Sequence, residues 1–316
     1  MSKIMVTGVA GFVGQHLAHE LQQSGHEVVG VGTSPLKDTQ LKNKLGSYYA
    51  CDLTKAEDVA KLPLNQMDGV INLAGLANVG ESYNQADLYQ KVNVGIVDTL
   101  AKQILELGLN NIRLIIVSTG TVYDPLQKAP FDENAQLANG QNVNPYIQSK
   151  LAIEKCALEY RSSGLDCIIA RPFNHIGPGQ KPGFLVPDLA RQLEQTHASG
   201  QTEISVGDLS KERDFTDVRD VVKAYRLLVT APKHQLSQPI YNICSGQPHN
   251  GRELLNLLME SMGLGSIKVT VDPSRLRPND PQSIYGNAQL ITKDTGWKPE
   301  ISLAQTINDF VSWRAS

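Results

Sequence analysis

The feature that most constrains this fold is a glycine-rich turn between a short apolar strand and a helix at the start of the chain. Residues 4–6 predict a buried strand, and the turn after it places Gly8, Gly11 and Gly14 at intervals of three. A second apolar strand is predicted at residues 28–31, after the helix. This order of elements is typical of chains that bind the pyrophosphate of a dinucleotide at a helix N-terminus.

Each glycine of the turn has a separate expected role. Gly8 permits the tight turn, Gly11 lets the backbone approach a pyrophosphate, and Gly14 permits close packing of the helix on the strand. Phe12 and Val13 open the helix and are predicted to contact the cofactor. The spacing differs from the Gly-x-Gly-x-x-Gly of the commonest dehydrogenases, and an ordinary glycine-rich turn is the alternative interpretation.

The end of the second strand bears on the choice between NAD and NADP. Chains that bind NAD in this way hold the ribose 2′-hydroxyl with an acid at this position, but here the first acid, Asp38, comes several residues later. Thr33, Ser34 and Lys37 supply hydroxyls and a cation that suit a 2′-phosphate. The sequence therefore favours NADP(H) and leaves NAD(H) open, with a plain polar loop as the alternative.

Two further strand ends are candidates for the cofactor site. A third strand, predicted at residues 48–53, ends in Asp52 and Leu53. The carboxylate of Asp52 would either accept a hydrogen bond from the adenine amino group or cap the next helix. The fourth strand runs into a turn that suits the close passage of a cofactor. This turn consists of Leu73, Ala74 and Gly75.

The strongest catalytic candidates follow the fifth strand and open the next helix. The strand predicted at residues 113–118 leads into Thr119 and Thr121, at the carboxyl edge of a parallel sheet, where ligands bind. Tyr146 and Lys150 lie four residues apart on one face of a helix. A lysine cation favours a phenolate, so the sequence predicts that Lys150 lowers the pKa of Tyr146 and makes it a general acid or base. A surface helix that happens to hold both residues is the alternative.

The pattern of elements predicts an α/β fold. Strands and helices alternate to about residue 172, which is typical of a Rossmann-like, doubly wound parallel sheet with a smaller C-terminal substrate-binding domain. The dinucleotide-binding domain is predicted at residues 1–172, with residues 217–243 returning to it. Residues 173–316 would form most of the substrate-binding domain, entered through a rigid polar loop at residues 171–180.

Composition argues against several classes of function. The chain has 316 residues, of which 41% are hydrophobic, so it can bury a large core. A net charge of −3 without a polybasic face argues against a nucleic-acid partner, and no apolar run reaches the length of a membrane span. The chain starts without a secretory leader and its cysteines are scattered, which predicts a cytoplasmic protein without disulfides or metal. The cysteines are Cys51, Cys156, Cys167 and Cys244.

Four motifs occur in an order that points to one family. They are the Thr-Gly-x-x-Gly-x-x-Gly start, an Asn-x-Ala-Gly strand end, a Ser-Thr strand end and Tyr-x-x-x-Lys. Together they resemble the extended short-chain dehydrogenase/reductase family, which modifies nucleotide sugars, over essentially the full chain. Later segments narrow the resemblance to members that reduce GDP-4-keto-6-deoxy-D-mannose: ARPFNHIGPGQ at 170–180, RDFTDVRD at 213–220, YNICSG at 241–246 and GWKPEI at 296–301.

The resemblance implies a role for each matched residue. Tyr146 would be the acid/base, Lys150 would hold the nicotinamide ribose and tune Tyr146, and Thr119 would hydrogen-bond the substrate oxygen. Asn93, in a long helix predicted at residues 83–107, would support the region of the active-site helix. Asp52 would contact the adenine side of the cofactor.

The resemblance also implies residues on the substrate side. The turn that begins at Arg171 would border the nicotinamide, Asn174 would border the sugar nucleotide, and Thr121 would line the substrate site. Arg213 and Arg277 would bind the diphosphate, a task suited to guanidinium geometry, with surface salt bridges as the alternative.

The expected reaction is the NAD(P)H-dependent reduction of the 4-keto group of GDP-4-keto-6-deoxy-D-mannose to GDP-D-rhamnose. Dehydratases of the family carry a glutamate two positions after the catalytic hydroxyl, and Thr121 stands there in this chain, which argues against elimination of water. A reductase or 4-epimerase of dTDP- or UDP-linked sugars is the alternative, and a non-catalytic nucleotide sensor is the alternative from another class. The resemblance implies a homodimer formed through the two long helices that hold Asn93 and Tyr146.

Overall fold

The computed structural model describes residues 1–140, 143–265, 267–276 and 280–316. Its strands are β1 (Lys3–Thr7), β2 (Glu27–Gly32), β3 (Ser47–Ala50), β4 (Gly69–Asn72), β5 (Arg113–Val117), β6 (Asp166–Pro172), β7 (Asn174–Ile176), β8 (Glu203–Val206), β9 (Glu212–Asp217), β10 (Ile240–Ile243), β11 (Pro248–Asn250), β12 (Lys268–Val271) and β13 (Ser283–Ile284). Its helices are α1 (Phe12–Gln23), α2 (Thr39–Lys42), α3 (Ala56–Val59), α4 (Val79–Ser82), α5 (Ala86–Glu106), α6 (Pro145–Ser162), α7 (Leu185–Ser199), α8 (Val218–Thr230), α9 (Gly251–Ser261), α10 (Gln289–Thr295) and α11 (Leu303–Ala315).

A parallel sheet of seven strands, the large sheet, forms the centre of the fold. Its strand order is β10-β6-β5-β4-β1-β2-β3, and every neighbouring pair is parallel. The order reverses between β1 and β4, and ligands of such sheets bind in the crevice outside the carboxyl ends of the strands at this point. The predicted Rossmann-like, doubly wound sheet is therefore confirmed.

Alternation along the strands explains how the large sheet buries both of its faces. Ile115 of β5 packs in one core cluster with side chains of α1 and α8. Its neighbours Leu114 and Ile116 point to the other face, where they pack with side chains of α5 and α6. Apolar residues on both faces are typical of a parallel strand that is covered by helices on each side.

A second core holds together the smaller lobe, which comprises β7–β9, β11–β13, α7, α9 and α11. β7, β9, β11 and β13 form one small sheet, and β8 pairs with β12. The helices of the lobe pack through apolar side chains such as Leu193, Leu254 and Phe310. The intervening strand β10 belongs to the large sheet, because it pairs with β6. The intervening helix α8 packs against α1, which covers one face of that sheet.

Two predicted elements differ from the observed ones. The stretch at 171–180 was expected to be a loop, but it contains the end of β6 and the strand β7, which pairs with β9. The long helix expected at 83–107 is α5, which begins three residues later at Ala86, and the separate short helix α4 ends just before the expected range. Pairing with a strand about forty residues away in sequence leaves no local pattern, which is why β7 resembled a loop.

Two further observations concern the chain as a whole. All four cysteines are free thiols, and three of them are buried. Among the residues that the structure describes, no helix has both the length and the apolar character that crossing a bilayer requires.

Candidate active site

The turn after β5 places two threonine hydroxyls at the carboxyl edge of the large sheet. Thr119 is only 8% exposed, and its Oγ1 accepts a hydrogen bond from the backbone N–H of Thr121 at 3.2 Å. The hydroxyl oxygens of the two residues are 3.1 Å apart. A single turn of 3₁₀ helix, Gly120–Val122, follows Thr119. The turn therefore holds both hydroxyls at the edge where a fold of this kind binds ligands.

Helix α6 brings Tyr146 and Lys150 to the same edge. The side chain of Asn144 caps the helix by accepting from a first-turn N–H at 2.9 Å, and Pro145 occupies the first helical position. Lys150 Nζ donates to the carbonyl oxygen of Val117, the last residue of β5, at 2.9 Å. Nζ also lies 5.8 Å from the centroid of the Tyr146 ring. The helix is thus bonded to β5 next to the threonine turn.

The prediction that Lys150 lowers the pKa of Tyr146 is wrong for the protein alone. Burial raises the pKa of Tyr146 to about 12, and the hydrogen bond to Thr119 opposes that rise. Lys150 donates to the Val117 carbonyl and lies over the phenol ring, and this arrangement does not offset the cost of burying a phenolate. Tyr146 therefore holds its proton at neutral pH, which suits a general acid.

Lys150 titrates much closer to neutrality than an ordinary lysine. Burial lowers the pKa of its ammonium group to about 8, and the negative charge of Glu154 opposes this effect. Because this pKa lies just above neutral pH, the charge of Lys150 is present at neutral pH and is lost in mildly alkaline solution.

Asn93 connects the active-site helix with the loop after β4. It is 4% exposed, and its Oδ1 accepts from the N–H of Leu76 at 2.8 Å. Its Nδ2 donates to the carbonyl of Leu76 at 3.1 Å and to Ser149 Oγ at 2.9 Å. Ser149 in turn donates to the carbonyl of Tyr146 at 2.8 Å. Asn93 is therefore a buried connection between α5, α6 and the end of β4, and not a solvated mid-helix residue.

The glycine turn leaves space and hydrogen-bond donors for a phosphate group. Gly8 has a φ of 65°, in the left-handed region that favours glycine. A Cβ at Gly14 would lie 2.4 Å from the carbonyl oxygen of Gly8, so α1 packs directly on the turn. Within the described part of the chain, no side chain caps α1 at Gly11 and no acid lies in its first turn. The first N–H groups of α1 can therefore bind an anion, and the site fits the pyrophosphate of NAD(H) or NADP(H).

Thr7 and Asn72, which the sequence did not single out, join the ends of β1 and β4. Thr7 Oγ1 donates to Asn72 Oδ1 at 2.6 Å and accepts from the N–H of Ala74 at 3.1 Å. The next residue, Gly75, has a φ of 152°, and a Cβ on it would lie 2.8 Å from Asn93 Oδ1. Both polar residues stand within the quoted motifs, but only the strand pairing shows that their side chains meet.

The predicted adenine end of the cofactor site follows β2 and β3. Thr33 and Ser34 are exposed, and the carbonyl of Ser34 accepts from a tyrosine hydroxyl of β3. Asp52 accepts from the hydroxyl and the N–H of Thr54 at 2.7 and 3.1 Å, and these bonds lower the pKa of its carboxyl group. The residue at the cap position of α3 is Lys55, so of the two alternatives for Asp52 the helix cap is wrong. The carboxylate of Asp52 remains partly exposed.

Other predicted cofactor residues differ in exposure. Leu53 is 4% exposed and belongs to the core. The ring of Phe12 stacks on that of His175 in the smaller lobe, with centroids 6.2 Å apart. Nearby, His16 donates from Nε2 to the carbonyl of Pro178 at 2.8 Å, so α1 contacts both β7 and the segment that follows it. Four further members of the predicted set are half-buried, namely Phe12, Val13, Leu73 and Ala74.

Arg171 lies in the interior, and its side chain is not available to a cofactor. It is 2% exposed, and its Nε and Nη2 donate to the two carboxylate oxygens of Glu154 at 2.9 and 2.6 Å. Its Nη1 donates to the hydroxyl of Tyr123 at 2.9 Å. The prediction that Arg171 contacts the cofactor is therefore wrong for its side chain, because the guanidinium is bound within the protein.

The predicted substrate residues Asn174 and Arg213 lie on neighbouring strands of the smaller lobe. Asn174 is exposed at the start of β7, which pairs with β9, the strand that holds Arg213. The Arg213 guanidinium donates to the carboxylate of Asp280 at 2.6 Å and to the carbonyl of Pro281 at 3.0 Å. In the protein alone, Arg213 therefore forms a salt bridge, which was the alternative to diphosphate binding. Arg277, the other predicted diphosphate ligand, lies outside the described residues.

Comparison with known proteins gives a family match over most of the chain and relatives over its full length. The model of the NAD dependent epimerase/dehydratase family matches residues 4–244. Among curated relatives, the GDP-6-deoxy-D-mannose reductase of Pseudomonas aeruginosa is 32% identical over 98% of this chain and 96% of its own. A UDP-glucose 4-epimerase of Neisseria meningitidis is 27% identical over 99% of this chain and 97% of its own.

Solved structures are similar over the same extent. RMD from Pseudomonas aeruginosa, complexed with NADPH, is 29% identical with a TM-score of 0.82, over 100% of this chain and 99% of its own. The UDP-glucose-4-epimerase from Stenotrophomonas maltophila, with bound NAD and formylated UDP-arabinopyranose, is 26% identical with a TM-score of 0.83, over 100% of both chains.

Proposed function

This chain belongs to the NAD dependent epimerase/dehydratase family, and from that premise we propose that it reduces the 4-keto group of GDP-4-keto-6-deoxy-D-mannose to give GDP-D-rhamnose. Its full-length similarity to a nucleotide-sugar reductase makes it an NAD(P)-dependent oxidoreductase that acts on nucleotide sugars. The observation that carries the proposal is the convergence of Thr119, Tyr146 and Lys150 at the same sheet edge as the glycine turn.

The residues that would hold the dinucleotide follow from the geometry of the turn. The N–H groups at the start of α1, between Gly11 and Gly14, would bind the pyrophosphate, and Lys150 would bind the nicotinamide ribose. When bound, the reduced nicotinamide supplies a hydride to the carbonyl carbon of the sugar. We favour NADP(H), because β2 ends without an acid and Thr33 and Ser34 lie exposed where a 2′-phosphate would be. The NADPH complex of the similar reductase supports the same preference.

Tyr146 supplies the proton that the reduced oxygen needs. Its pKa is raised to about 12, so it carries that proton at neutral pH, and an alkoxide is basic enough to take it. Thr119, buried beside Tyr146, donates a hydrogen bond to the same oxygen as negative charge develops there. Lys150, charged below its pKa of about 8, stabilises the phenolate that remains.

The threonine turn supports reduction over dehydration. Position 120 is a glycine, and a Cβ there would lie 2.6 Å from the ring of Phe173, so the packing leaves no space for a longer side chain. Position 121 is a threonine, whose hydroxyl is 3.1 Å from that of Thr119. Neither position offers the carboxylate that elimination of water requires in dehydratases of the family.

The substrate side of the proposal rests on the smaller lobe. Asn174 would contact the sugar nucleotide, and Arg213 and Arg277 would bind the diphosphate. Arg213 would then exchange its contact with Asp280 for the ligand. The division into a dinucleotide-binding and a substrate-binding domain, a homodimer formed through α5 and α6, and a cytoplasmic location are parts of the same proposal.

A nucleotide-sugar 4-epimerase is the second candidate, and the full-length similarity to UDP-glucose 4-epimerases supports it. Thr119, Tyr146 and Lys150 would serve either reaction. Net consumption of NAD(P)H separates the two, because a reductase uses one equivalent per sugar and an epimerase uses none. A non-catalytic sensor, by contrast, has no need of these three side chains together.

Identification of the product tests the proposal. The protein would be incubated with NADPH and GDP-4-keto-6-deoxy-D-mannose, which a dehydratase generates in place from GDP-mannose, and the nucleotide sugar would be analysed by NMR. We expect GDP-D-rhamnose. GDP-6-deoxy-D-talose would contradict the proposed face of reduction, and conversion of only the dTDP- or UDP-linked ketosugar would contradict the proposed nucleobase.

A further inference from the structure

A connected set of four buried side chains, Ser118, Glu154, Arg171 and Tyr123, lies directly behind the threonine turn. We propose that Glu154, at its centre, is a positioning residue that fixes both ends of the turn carrying Thr119 and holds a negative charge one helical turn from Lys150. The inference rests on the proposed function for the identity of the reaction. The role of Glu154 itself is argued from contacts within the chain.

Glu154 accepts hydrogen bonds from two other elements of the large sheet. It is 3% exposed, and its Oε1 accepts from Ser118 Oγ at 2.5 Å and from Arg171 Nε at 2.9 Å. Its Oε2 accepts from Arg171 Nη2 at 2.6 Å. Ser118 directly precedes Thr119 at the end of β5, whereas Arg171 lies near the end of β6. Charge-assisted bonds of this kind, away from water, are strong and directional.

Arg171 extends the connection to the other end of the threonine turn. Its Nη1 donates to the hydroxyl of Tyr123 at 2.9 Å, and that hydroxyl donates to Asn242 Oδ1 at 2.7 Å. The centre of the guanidinium also lies 4.9 Å from the centroid of the Tyr123 ring. Ser118 and Tyr123 flank residues 119–122, so both ends of the turn are bonded to groups that lead to Glu154. A change at Glu154 would therefore alter the position of the Thr119 hydroxyl.

Glu154 also determines the charge environment of Lys150. The two residues are four apart in α6 and share one face of the helix. Burial lowers the pKa of Lys150, and the carboxylate of Glu154 raises it against that effect. Loss of the carboxylate charge would therefore lower the pKa of Lys150 further, and Lys150 would lose its proton at a lower pH.

The other ionisable groups around this face cannot replace Glu154. Burial raises the pKa of each of the tyrosines concerned, so they are neutral at neutral pH. The arginine carries a positive charge and is bound to Glu154 by paired hydrogen bonds. Among the described residues, Glu154 is the negative charge that favours the protonated form of Lys150. The surrounding groups are Tyr146 of α6, Tyr89 of α5, Tyr225 of α8, Tyr123 after β5, Arg171 of β6 and Glu133, whose carboxyl group accepts from the N–H of Asn242 and has its pKa raised by burial.

Glu154→Gln tests the charge, with Asp166→Asn as its matched control. Asp166 accepts from Arg113 at 3.1 Å in a second buried pair, at the opposite edge of the large sheet. The readout is the acetylation rate of Lys150 against pH, followed by mass spectrometry, which needs no substrate. We expect the midpoint to fall by about one pH unit in Glu154→Gln and to stay in place in Asp166→Asn. A wild-type midpoint in Glu154→Gln, or an equal shift in the control, overturns the inference.

Ser118→Ala tests the positioning, and it remains informative if Glu154→Gln fails to fold. This variant keeps the ion pair and removes only the bond to the turn. We expect kcat to fall about tenfold, KM for the cofactor to change by less than about twofold, and the labelling midpoint of Lys150 to stay in place. The matched control is Ser237→Ala. It removes a hydrogen bond of 2.7 Å from the Ser237 hydroxyl to the carboxylate of Asp294, and both residues are remote in sequence from the threonine turn.

The two kinds of failure are distinguishable. Wild-type kcat in Ser118→Ala, measured on whichever ketosugar the unmodified protein reduces, overturns the positioning role of Glu154. A fall of kcat in Ser237→Ala equal to that in Ser118→Ala overturns it as well. A wild-type protein that reduces no ketosugar contradicts the proposed function instead, and the labelling midpoints still decide whether Glu154 sustains the charge of Lys150.

Discussion

The ammonium group of Lys150 donates to the main-chain carbonyl of Val117 at 2.9 Å, so the catalytic helix is joined to β5 through a titratable group. The same ammonium lies 5.8 Å from the ring centroid of Tyr146. One cation therefore serves both the placement of α6 and the electrostatic environment of the proton donor. Because burial lowers the pKa of Lys150 to about 8, its ionisation lies within the range of an ordinary kinetic experiment.

Turnover is expected to fall as the pH rises through about 8. The lowered pKa means that Lys150 is charged below that value and neutral above it, whereas Tyr146, with a pKa of about 12, keeps its proton throughout. The measurement is kcat/KM against pH. In Lys150→Arg this alkaline decline should disappear, because a guanidinium does not titrate in the range. A wild-type profile that stays flat well above the lysine pKa would contradict the role of Lys150.

Tyr146→Phe should lower kcat by about 10²–10⁴-fold, because it removes the proton donor and keeps the ring. Cofactor binding, followed by nicotinamide fluorescence, should be unchanged. The matched control is Tyr160→Phe in the same helix, whose hydroxyl donates to Asp98 at 2.6 Å and which should keep wild-type turnover. Near-normal turnover in Tyr146→Phe would remove Tyr146 from the chemistry.

Gly14→Ala should abolish tight cofactor binding and lower the free energy of unfolding by about 1–3 kcal/mol. The added Cβ would lie 2.4 Å from the carbonyl oxygen of Gly8, so α1 must move away from the turn. The control is Gly95→Ala in α5, where the nearest atom to an added Cβ, in Thr54, would be 3.9 Å away. That variant should gain about 0.5–1 kcal/mol, because alanine loses less entropy in a helix. Urea unfolding and cofactor titration provide the two measurements.

Ser34→Asp should shift the cofactor preference from NADPH towards NADH. Ser34 is exposed at the end of β2, and a carboxylate there would repel a 2′-phosphate and accept from a 2′-hydroxyl. We expect the ratio of kcat/KM for NADPH over NADH to fall by at least about tenfold. Gln40→Asp, which adds the same charge at an exposed site in α2, should leave the ratio unchanged. An unchanged ratio in Ser34→Asp would place the adenosine ribose elsewhere.

The order of strands and the spacing within helices were enough to predict which side chains meet at the sheet edge. The carboxyl ends of parallel strands share one edge, so the turn with Thr119 had to lie with the glycine turn. Helical spacing put Tyr146 and Lys150 on one face. These inferences depend only on periodicity and topology, which local sequence encodes well.

Burial and the pairing of side chains distant in sequence could not be predicted from the sequence in the same way. Arg171 gives no sign in the sequence that its guanidinium is occupied, because its partner Glu154 lies in the preceding helix and only the packing brings the two side chains together. The pKa of Tyr146 was expected to be lowered, and desolvation, which a sequence does not report, raises it. Asn93 would be solvated in an isolated helix, and the neighbouring loop and α6 bury it.

The most direct test of the account is the stoichiometry of cofactor oxidation. Purified protein would be mixed with NADPH and GDP-4-keto-6-deoxy-D-mannose, and the reduced-nicotinamide absorbance would be followed to completion. We predict that one equivalent of NADPH is oxidised per equivalent of sugar. Conversion of a nucleotide sugar without net loss of NADPH would contradict the reductase assignment and favour an epimerase.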